Sequence, residues 1–204
     1  MPDFAPLDEN QADATPLPLF TQWFQEALAA NLPEPSAAAL ATCTPEGSPS
    51  VRMVLVRRYD ERGFCFFTNY LSRKAEELAR NPRAALVLFW TAQQRQIRIE
   101  GRVEKTSAAE SDDYFASRPR GHRLGAWASP QSRVIADRQV LEQCMAEVEQ
   151  RFADQAVPRP EFWGGYRIAP EVVEFWQGGE NRLHDRLRFS RQADGSWRVE
   201  RLAP

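Results

Sequence analysis

The residues best suited to chemistry lie near the end of the chain, after the glycine pair Gly178-Gly179. Arg182, His184 and Arg186 occupy alternate positions there, downstream of an apolar stretch that ends at Trp176. If this segment is extended, its period-two geometry places the three side chains on one face. Such a face, beside a tryptophan, suits an anionic and planar ligand. The alternative is a solvated edge strand with surplus charges, and this pattern alone does not separate the two.

Two further segments place cations where a phosphate group could bind. The apolar strand predicted at 50–59 contains Arg52 and Arg57, although both of these positions could simply reach solvent. In the second segment, a strand turns into a helix whose first turn contains Arg73 and Lys74. The helix macrodipole disfavours cations at this end unless an anion is bound there. This local conflict favours a phosphate site at the start of the helix.

Amide and hydroxyl side chains mark two more candidate positions. Gln96 lies at the start of an alternating strand, and Gln131 and Ser132 follow Trp127 in a polar segment. These groups can hydrogen-bond to the edge of a heterocycle. Each of them, taken singly, is also typical of an ordinary polar strand end.

Length, charge and motif content exclude several functional classes. The 204 residues suit one domain, and a net charge of -2 gives no general attraction for nucleic acid or an anionic membrane. No apolar run reaches the length of a membrane span, and no signal-peptide pattern is present. The three cysteines have no paired spacing, so a reduced, cytoplasmic protein is expected.

The absence of several catalytic motifs excludes further functional classes. The chain has no glycine-rich phosphate loop and no G-x-S-x-G motif. Its two histidines, His122 and His184, lack metal-ligand spacing, so no metal is expected. Asp185 follows His184 directly and would point to the opposite face of a strand, which disfavours a hydrolytic triad. The remaining interpretation is a protein that binds a phosphorylated organic cofactor.

The predicted elements form a mainly antiparallel β barrel with peripheral helices. Residues 1–18 are expected to be a disordered acidic, proline-rich arm, and residues 19–204 a single domain. The first helix is predicted over 19–32, a capping box at Ser107 and Glu110 opens another, and a loop covers 118–125. The longest helix, 137–152, has a predicted buried stripe of Val140, Leu141, Cys144, Met145, Val148 and Phe152. Separate late strands are predicted over 163–168, 172–176, 187–190 and 197–202.

Several of these segments together resemble the flavin-binding motifs of the pyridoxine (pyridoxamine) 5′-phosphate oxidase family. The segments include RMVLVR at 52–57, FTN at 67–69, SRK at 72–74, YFASRP at 114–119, QS at 131–132 and RLHDR at 182–186. The resemblance runs in register from about residue 19 to the end. It implies an antiparallel FMN-binding split β-barrel of Greek-key type, working as a homodimer with FMN at the subunit interface.

The resemblance also implies roles for individual residues. The FMN phosphate would be bound by Arg52, Arg73 and Lys74. The rest of the cofactor would be surrounded by Met53, Val54, Leu55, Arg57, Phe67, Thr68, Gln96, Gln131, Ser132, Trp176 and Arg186. The substrate phosphate would be bound by Arg57, Tyr114, Arg118 and His122. Arg182 and His184 would lie against the pyridine ring as catalytic residues.

The implied activity is oxidation of pyridoxamine 5′-phosphate and pyridoxine 5′-phosphate to pyridoxal 5′-phosphate, with dioxygen as acceptor and hydrogen peroxide as product. Arg57 and His122 stand where the family usually has lysine and serine, and both can still donate to a phosphate. The acidic arm differs from the basic, tyrosine-containing arm common in the family. The resemblance therefore does not imply that this arm closes over the substrate.

Three alternatives stay open at this point. The first keeps the fold and FMN but oxidises another small aromatic acid, as relatives in phenazine biosynthesis do. The second is a non-catalytic protein that stores flavin or pyridoxal phosphate, and the third is a flavin-free barrel used for interactions. The intact signature from Tyr114 to Arg118 argues against the first.

Overall fold

The computed structural model describes residues 6–10 and 12–204, which build a nine-stranded sheet with five α-helices beside it. The helices are α1 (Leu17–Ala29), α2 (Arg73–Arg80), α3 (Ala108–Ser117), α4 (Arg120–Ala128) and α5 (Arg138–Arg151). The strands are β1 (Ala37–Cys43), β2 (Pro49–Leu55), β3 (Arg58–Asp60), β4 (Gly63–Asn69), β5 (Arg83–Trp90), β6 (Arg95–Lys105), β7 (Trp163–Gln177), β8 (Asp185–Arg191) and β9 (Trp197–Arg201).

The sheet is antiparallel throughout its described pairings, as the sequence predicts. Its order is β2-β1-β5-β6-β7-β4-β3, and β8 pairs with β7 and β9. The separate strands predicted over 163–168 and 172–176 are wrong, because β7 is one continuous strand. Its first half pairs with β4 and its second half with β8, while β6 pairs along both halves with a register shift at Glu100/Gly101. This shared strand joins the two halves of the molecule.

The main core forms between α1 and the inner face of the sheet. Phe20 and Trp23, at the predicted helical spacing, are at most 1% exposed. Ile97 and Ile99 of β6 are fully buried, so the predicted alternation of this strand is confirmed. Complete burial of each such side chain stabilises the fold by about 1.5–3 kcal/mol. The opposite face of the sheet stays exposed around Val51 and Met53.

A second core lies under the helices α3 to α5, and here two predictions are wrong. The predicted loop 118–125 is mostly helix, since α4 begins at Arg120 and buries Leu124 against Phe115, Phe152 and Trp163. Gly121 and Gly125 disfavour a helix, so the sequence pattern did not indicate one here. None of the residues 138–151 of α5 is buried, so Phe152, just after the helix, is the one member of the predicted stripe that is buried. The capping box of Ser107 and Glu110 is present as predicted.

The described part of the amino-terminal arm contacts the last two strands. The amide of Leu7 donates to Asp185 at 3.2 Å, and Arg201 pairs with Glu9 and Asp185, each at 2.6 Å. Residues 1–5 and 11, on which the prediction of a disordered arm also falls, lie outside the described residues. No helix in the described ranges is long and apolar enough to cross a membrane.

Candidate functional site

A cavity of about 330 Å³, here called the cation cavity, gathers many of the predicted site residues. Its lining comes from β2, the junction of β4 with α2, the helices α3 and α4, and the segment after α4. The residues are Met53, Val54, Leu55, Arg57, Phe67, Thr68, Lys74, Tyr114, Arg118, His122, Gln131 and Trp163. All of these except Trp163 are predicted site residues, and none carries a carboxylate. The cavity therefore has a positive electrostatic potential.

Lys74 is the buried cation at the centre of this lining. The residue is 8% exposed. Its ammonium donates to Thr68 Oγ1 at 3.0 Å, Ser72 Oγ at 3.2 Å and Gln131 Oε1 at 2.9 Å. These bonds join the end of β4, the first turn of α2 and the segment after α4. Burial, and then the nearby charge of Arg52, lower the pKa of Lys74 to about 8. An anion beside Lys74 would raise this pKa and favour the charged form.

Arg52 and Arg73 meet at the carboxylate of Glu77 on α2. Arg52 Nη2 lies 3.3 Å from Glu77 Oε2, and Arg73 Nε lies 2.9 Å from Glu77 Oε1. The two Nη groups of Arg52 also donate to Leu40, Thr42 and Ser50. Burial opposes ionisation of Glu77, but hydrogen bonds from its neighbours and the charge of Arg52 outweigh it and lower its pKa to about 2. The two predicted phosphate ligands thus share one ionised carboxylate.

Aromatic rings position Arg118 at the other side of the cation cavity. Tyr114 stacks on Phe67 with ring centroids 3.9 Å apart, and the guanidinium of Arg118 lies 4.6 Å from the ring centroid of Trp163. Arg118 Nη1 is buried and has no hydrogen-bond partner among the described residues. A buried donor without a partner is costly, so this atom suits a bound anion. Burial also lowers the pKa of Arg118.

Arg57 and His122 complete the polar lining, and both are more exposed. Arg57 Nη1 lies 3.6 Å from Glu34 Oε1, a distance that leaves the guanidinium loosely held. His122 lies on the exposed face of α4, near its start. The structure thus brings together the four residues predicted for the substrate phosphate.

Gln96, Trp176 and Arg186 form a separate C-terminal cluster. They are register partners on the adjacent strands β6, β7 and β8. Arg186 Nε donates to Glu174 Oε1 at 2.8 Å, and its Nη1 donates to the carbonyl of Ala203 at 2.8 Å. The last residues of the chain therefore hold this arginine in place.

Arg182 and His184 do not lie on a strand, so the predicted alternation with Arg186 is wrong. Glu180–Arg182 form a 3-10 turn, and β8 begins only at Asp185. Asn181 and Arg182 have φ values of 54° and 64°, a left-handed conformation that non-glycine residues rarely adopt. The ring of His184 instead packs on Trp176, with centroids 4.6 Å apart. Strained backbone of this kind is common at functional sites.

Gly179 explains why this turn can form. A side chain there would place its Cβ 2.1 Å from the carbonyl oxygen of Leu183. The amide of Gly179 donates to His184 Nδ1 at 3.1 Å, which leaves the proton of the neutral ring on Nε2. The glycine pair visible in the sequence thus marks the turn, although not the conformation of the two residues after it.

The C-terminal cluster, together with Arg182 and His184, is separated from the cation cavity within one chain. In the sheet order β2-β1-β5-β6, the strand that carries Met53 and Leu55 is three strand spacings, about 14 Å, from the strand that carries Gln96. None of Gln96, Trp176, Arg182, His184 and Arg186 lines the cation cavity. Ser132 is exposed, has a φ of 69° and does not line the cavity either.

Two residues of the site were not predicted as such. Trp163 is the first residue of β7, and its ring supports Arg118. Glu77 is four residues after Arg73, which is the spacing of an ion pair on a helix, and this spacing could have revealed it. Its contacts with Arg52 and Ser50 depend on the fold of the sheet and could not be read from the sequence.

Two family models match successive parts of the chain. The model described as pyridoxamine 5′-phosphate oxidase matches residues 24–152, and the model described as pyridoxine 5′-phosphate oxidase C-terminal dimerisation region matches residues 163–204. A pyridoxine/pyridoxamine 5′-phosphate oxidase of Ralstonia pickettii is 58% identical over 98% of this chain and 94% of its own length. The protein of the same name in Trichormus variabilis is 56% identical over 97% of this chain and 92% of its own length.

Solved structures show the same fold. PhzG from Burkholderia lata 383, in complex with tetrahydrophenazine-1-carboxylic acid, superposes with a TM-score of 0.93 at 33% identity, over 99% of this chain and 98% of PhzG. A pyridoxamine 5′-phosphate oxidase-related, FMN-binding protein from Nostoc punctiforme superposes with a TM-score of 0.75 at 17% identity, over 95% of this chain and all of that chain. The predicted split-barrel fold is thereby confirmed.

Proposed function

Because this chain belongs to the pyridoxamine 5′-phosphate oxidase family, we propose that it oxidises pyridoxamine 5′-phosphate and pyridoxine 5′-phosphate to pyridoxal 5′-phosphate. The predicted family, the class of flavin-dependent oxidoreductase and the cofactor FMN are confirmed by the comparisons. The observation that carries the substrate assignment is the partnerless buried Nη1 of Arg118 in a cavity that holds Arg57, Tyr114 and His122. This donor set fits the phosphate of the substrate.

Bound FMN would supply the redox chemistry, with the 4′ carbon of the substrate as hydride donor and dioxygen as the final acceptor, which would be reduced to hydrogen peroxide. The alcohol substrate then gives the aldehyde directly, and the amine substrate gives it with uptake of water and release of ammonia. The protein contributes binding, orientation and exclusion of water. Its oxidase chemistry therefore depends on how its cations hold two phosphate groups at a fixed separation.

Lys74 and Arg73 are the side chains best placed for the FMN phosphate. Lys74 is buried with its charge balanced only by neutral acceptors, so a phosphate dianion would stabilise its charged form. Arg73 is 61% exposed on its side chain and uses Nε for Glu77, and its Nη groups have no hydrogen bond within the described ranges. Arg52 lies beside them, with its charge balanced by Glu77. Gln131 and Thr68 complete the polar surroundings.

Arg182 and His184 act on the substrate in this proposal. His184 presents Nε2 as a hydrogen-bond donor because Nδ1 accepts from Gly179. Arg182 is exposed, and within the described chain its side chain makes no hydrogen bond or ion pair, so its charge is available for a substituent of the pyridine ring. Both residues are thus positioning groups for the ring rather than bases.

The proposed assembly is a homodimer with FMN at the subunit interface. The C-terminal cluster does not line the cation cavity of its own chain, and a homodimer would bring the cluster of one copy to the cavity of the other. The exposed outer face of the sheet carries Val51 at 69%, Met53 at 65% and Phe89 at 55% exposure. Apolar surface of this kind is typical of interfaces. The match of residues 163–204 to a dimerisation region supports this assembly.

Oxidation of another aromatic acid is the second candidate, and the similarity to PhzG favours it. The identity to the curated oxidases, 56–58%, is much higher than the 33% to PhzG. A phenazine-type acid also has no phosphate for the donors around Arg118. A cytoplasmic location is proposed with the main function, and Cys43, Cys65 and Cys144 are all unpaired in the structure.

Oxygen uptake by FMN-loaded protein tests the proposal. Pyridoxine 5′-phosphate and pyridoxamine 5′-phosphate should both drive uptake, and Arg118→Ala should lower kcat/KM by at least tenfold, as expected for the loss of one charge-assisted hydrogen bond. Pyridoxine without phosphate is the matched control, because its slow turnover should not change in the variant. Silence with both phosphorylated substrates would overturn the proposal.

A further inference from the structure

Glu77 is a buried carboxylate between two arginines of the proposed FMN phosphate site. It lies on α2 and is 5% exposed. Its Oε1 accepts from Arg73 Nε at 2.9 Å, and its Oε2 accepts from Ser50 at 2.6 Å, from Arg52 Nη2 at 3.3 Å and from Thr42. An acidic group beside a phosphate site repels the phosphate. Its presence there therefore calls for a compensating role.

The hydrogen bonds of the two arginines show what Glu77 does. The Nη groups of Arg52 donate hydrogen bonds to Leu40, Thr42, Ser50 and Glu77, so the protein fixes the orientation of this guanidinium. Arg73 is anchored to Glu77 through Nε alone, which directs the outer edge of its guanidinium away from the carboxylate. Without Glu77, two adjacent guanidinium groups would repel each other and lose this orientation.

We propose that Glu77 is a positioning residue that sets the affinity for the phosphate of FMN by orienting Arg73 and neutralising Arg52. This inference rests on the proposed function, because it takes the FMN phosphate to bind at the start of α2. A guanidinium that Glu77 already orients loses less conformational entropy when the phosphate binds, and this gain opposes the repulsion between Glu77 and the phosphate.

The test compares FMN with riboflavin, which lacks the phosphate. In Glu77→Gln the dissociation constant of FMN, measured by quenching of flavin fluorescence, should rise about tenfold, the effect of one charge-assisted hydrogen bond. The dissociation constant of riboflavin should stay within about twofold, because riboflavin has no phosphate for the two arginines to bind. Equal weakening of both flavins would mean a general structural role, and tighter FMN binding would mean simple repulsion. Either result would overturn the proposal.

Glu76→Gln is the matched control. Glu76 is the neighbouring residue on α2, loses the same charge in this variant, and pairs with the exposed Arg133 at 2.6 Å. Its FMN affinity should not change by more than about twofold, because exposed ion pairs contribute little. A loss equal to that of Glu77→Gln would show a general charge effect and would contradict the proposal.

A double-mutant cycle with Arg73→Ala tests the route of the effect. If Glu77 acts through Arg73, Glu77→Gln should weaken FMN binding much less in the Arg73→Ala background than in the wild type. Full additivity would contradict it. If Glu77→Gln does not fold, Ser50→Ala removes one donor to the same carboxylate, and the same preference for FMN over riboflavin decides.

The failure of this inference differs from that of the proposed function. A wild-type protein that binds FMN no better than riboflavin would refute the phosphate site itself. A wild-type protein that prefers FMN, with an unchanged preference in Glu77→Gln, would refute the role of Glu77 and leave the oxidase proposal standing.

Discussion

The imidazole of His184 packs against the indole of Trp176, with ring centroids 4.6 Å apart and an angle of 47° between the rings. With Nδ1 accepting from Gly179, the free edge of the imidazole is Nε2–H. A tryptophan of the proposed flavin site and a histidine of the proposed substrate site therefore form one unit. In the proposed function, this unit would connect the flavin site with the substrate site.

We predict that His184 positions the substrate and is not a general base. His184→Asn retains an acceptor for the amide of Gly179 but loses the donor at Nε2, so kcat/KM should fall about tenfold, mainly through KM. Steady-state kinetics across pH provides the measurement. A loss of about 10²–10⁴ in kcat together with loss of a limb of the pH profile would instead indicate proton transfer by His184.

A second prediction concerns the turn before His184. Gly179→Ala places a Cβ against the carbonyl of Leu183 and should displace both Arg182 and His184, so turnover should fall by at least tenfold. Gly195→Ala is the control. Its φ of +86° makes alanine unfavourable, but nothing lies within 4 Å of the added Cβ. The control should lose about 1–2 kcal/mol of unfolding free energy and keep its turnover. Equal kinetics in both variants would contradict this account.

The pKa of Lys74 predicts a pH dependence of FMN binding. In the flavin-free protein this pKa is lowered to about 8, so the ammonium is charged below that pH and neutral above it. The phosphate favours the charged form, so binding takes up a proton above pH 8 and FMN affinity should fall as the pH rises from 8 to 10. Fluorescence titrations at several pH values measure it.

Lys74→Met should remove this pH dependence as well as weaken binding. An affinity in the wild type that does not change between pH 7 and pH 10 would place Lys74 away from the phosphate. Riboflavin titrations provide the control, because a ligand without phosphate should show no such dependence.

The interface prediction can be tested with Val51, which contacts no proposed ligand. Val51→Asp buries a charge in the dimer interface and should shift the protein to monomers in sedimentation, with loss of FMN. Leu28→Asp changes an equally apolar residue on α1, which is 44% exposed, and should remain dimeric and yellow. A monomeric wild type that holds FMN tightly would contradict the interface site.

Features with local causes could be predicted from the sequence. The alternation of Ile97 and Ile99 gave the central strand β6, and Ser107 with Glu110 gave the start of α3, because both patterns act within a few residues. The motif residues around Lys74 and Arg118 do meet in one cavity. The assignments of individual residues to FMN or substrate remain predictions.

Features that depend on distant contacts or on an unusual backbone conformation could not be predicted. The left-handed backbone at Asn181 and Arg182 belongs to a turn in which Gly179 closely approaches Leu183, so a period-two pattern was misleading there. Helix α4 forms despite Gly121 and Gly125 because Leu124 packs against Phe152, which follows later in the chain. Glu77 acquires its role only when β1, β2 and α2 meet.

The absorption spectrum of FMN-loaded protein without oxygen, before and after addition of pyridoxine 5′-phosphate, tests the central claim most directly. The account predicts that the flavin absorbance near its visible maximum is bleached, and that admission of oxygen restores it. One experiment thereby reports cofactor binding, substrate binding and hydride transfer. A yellow spectrum that stays unchanged at saturating pyridoxine 5′-phosphate would contradict the account.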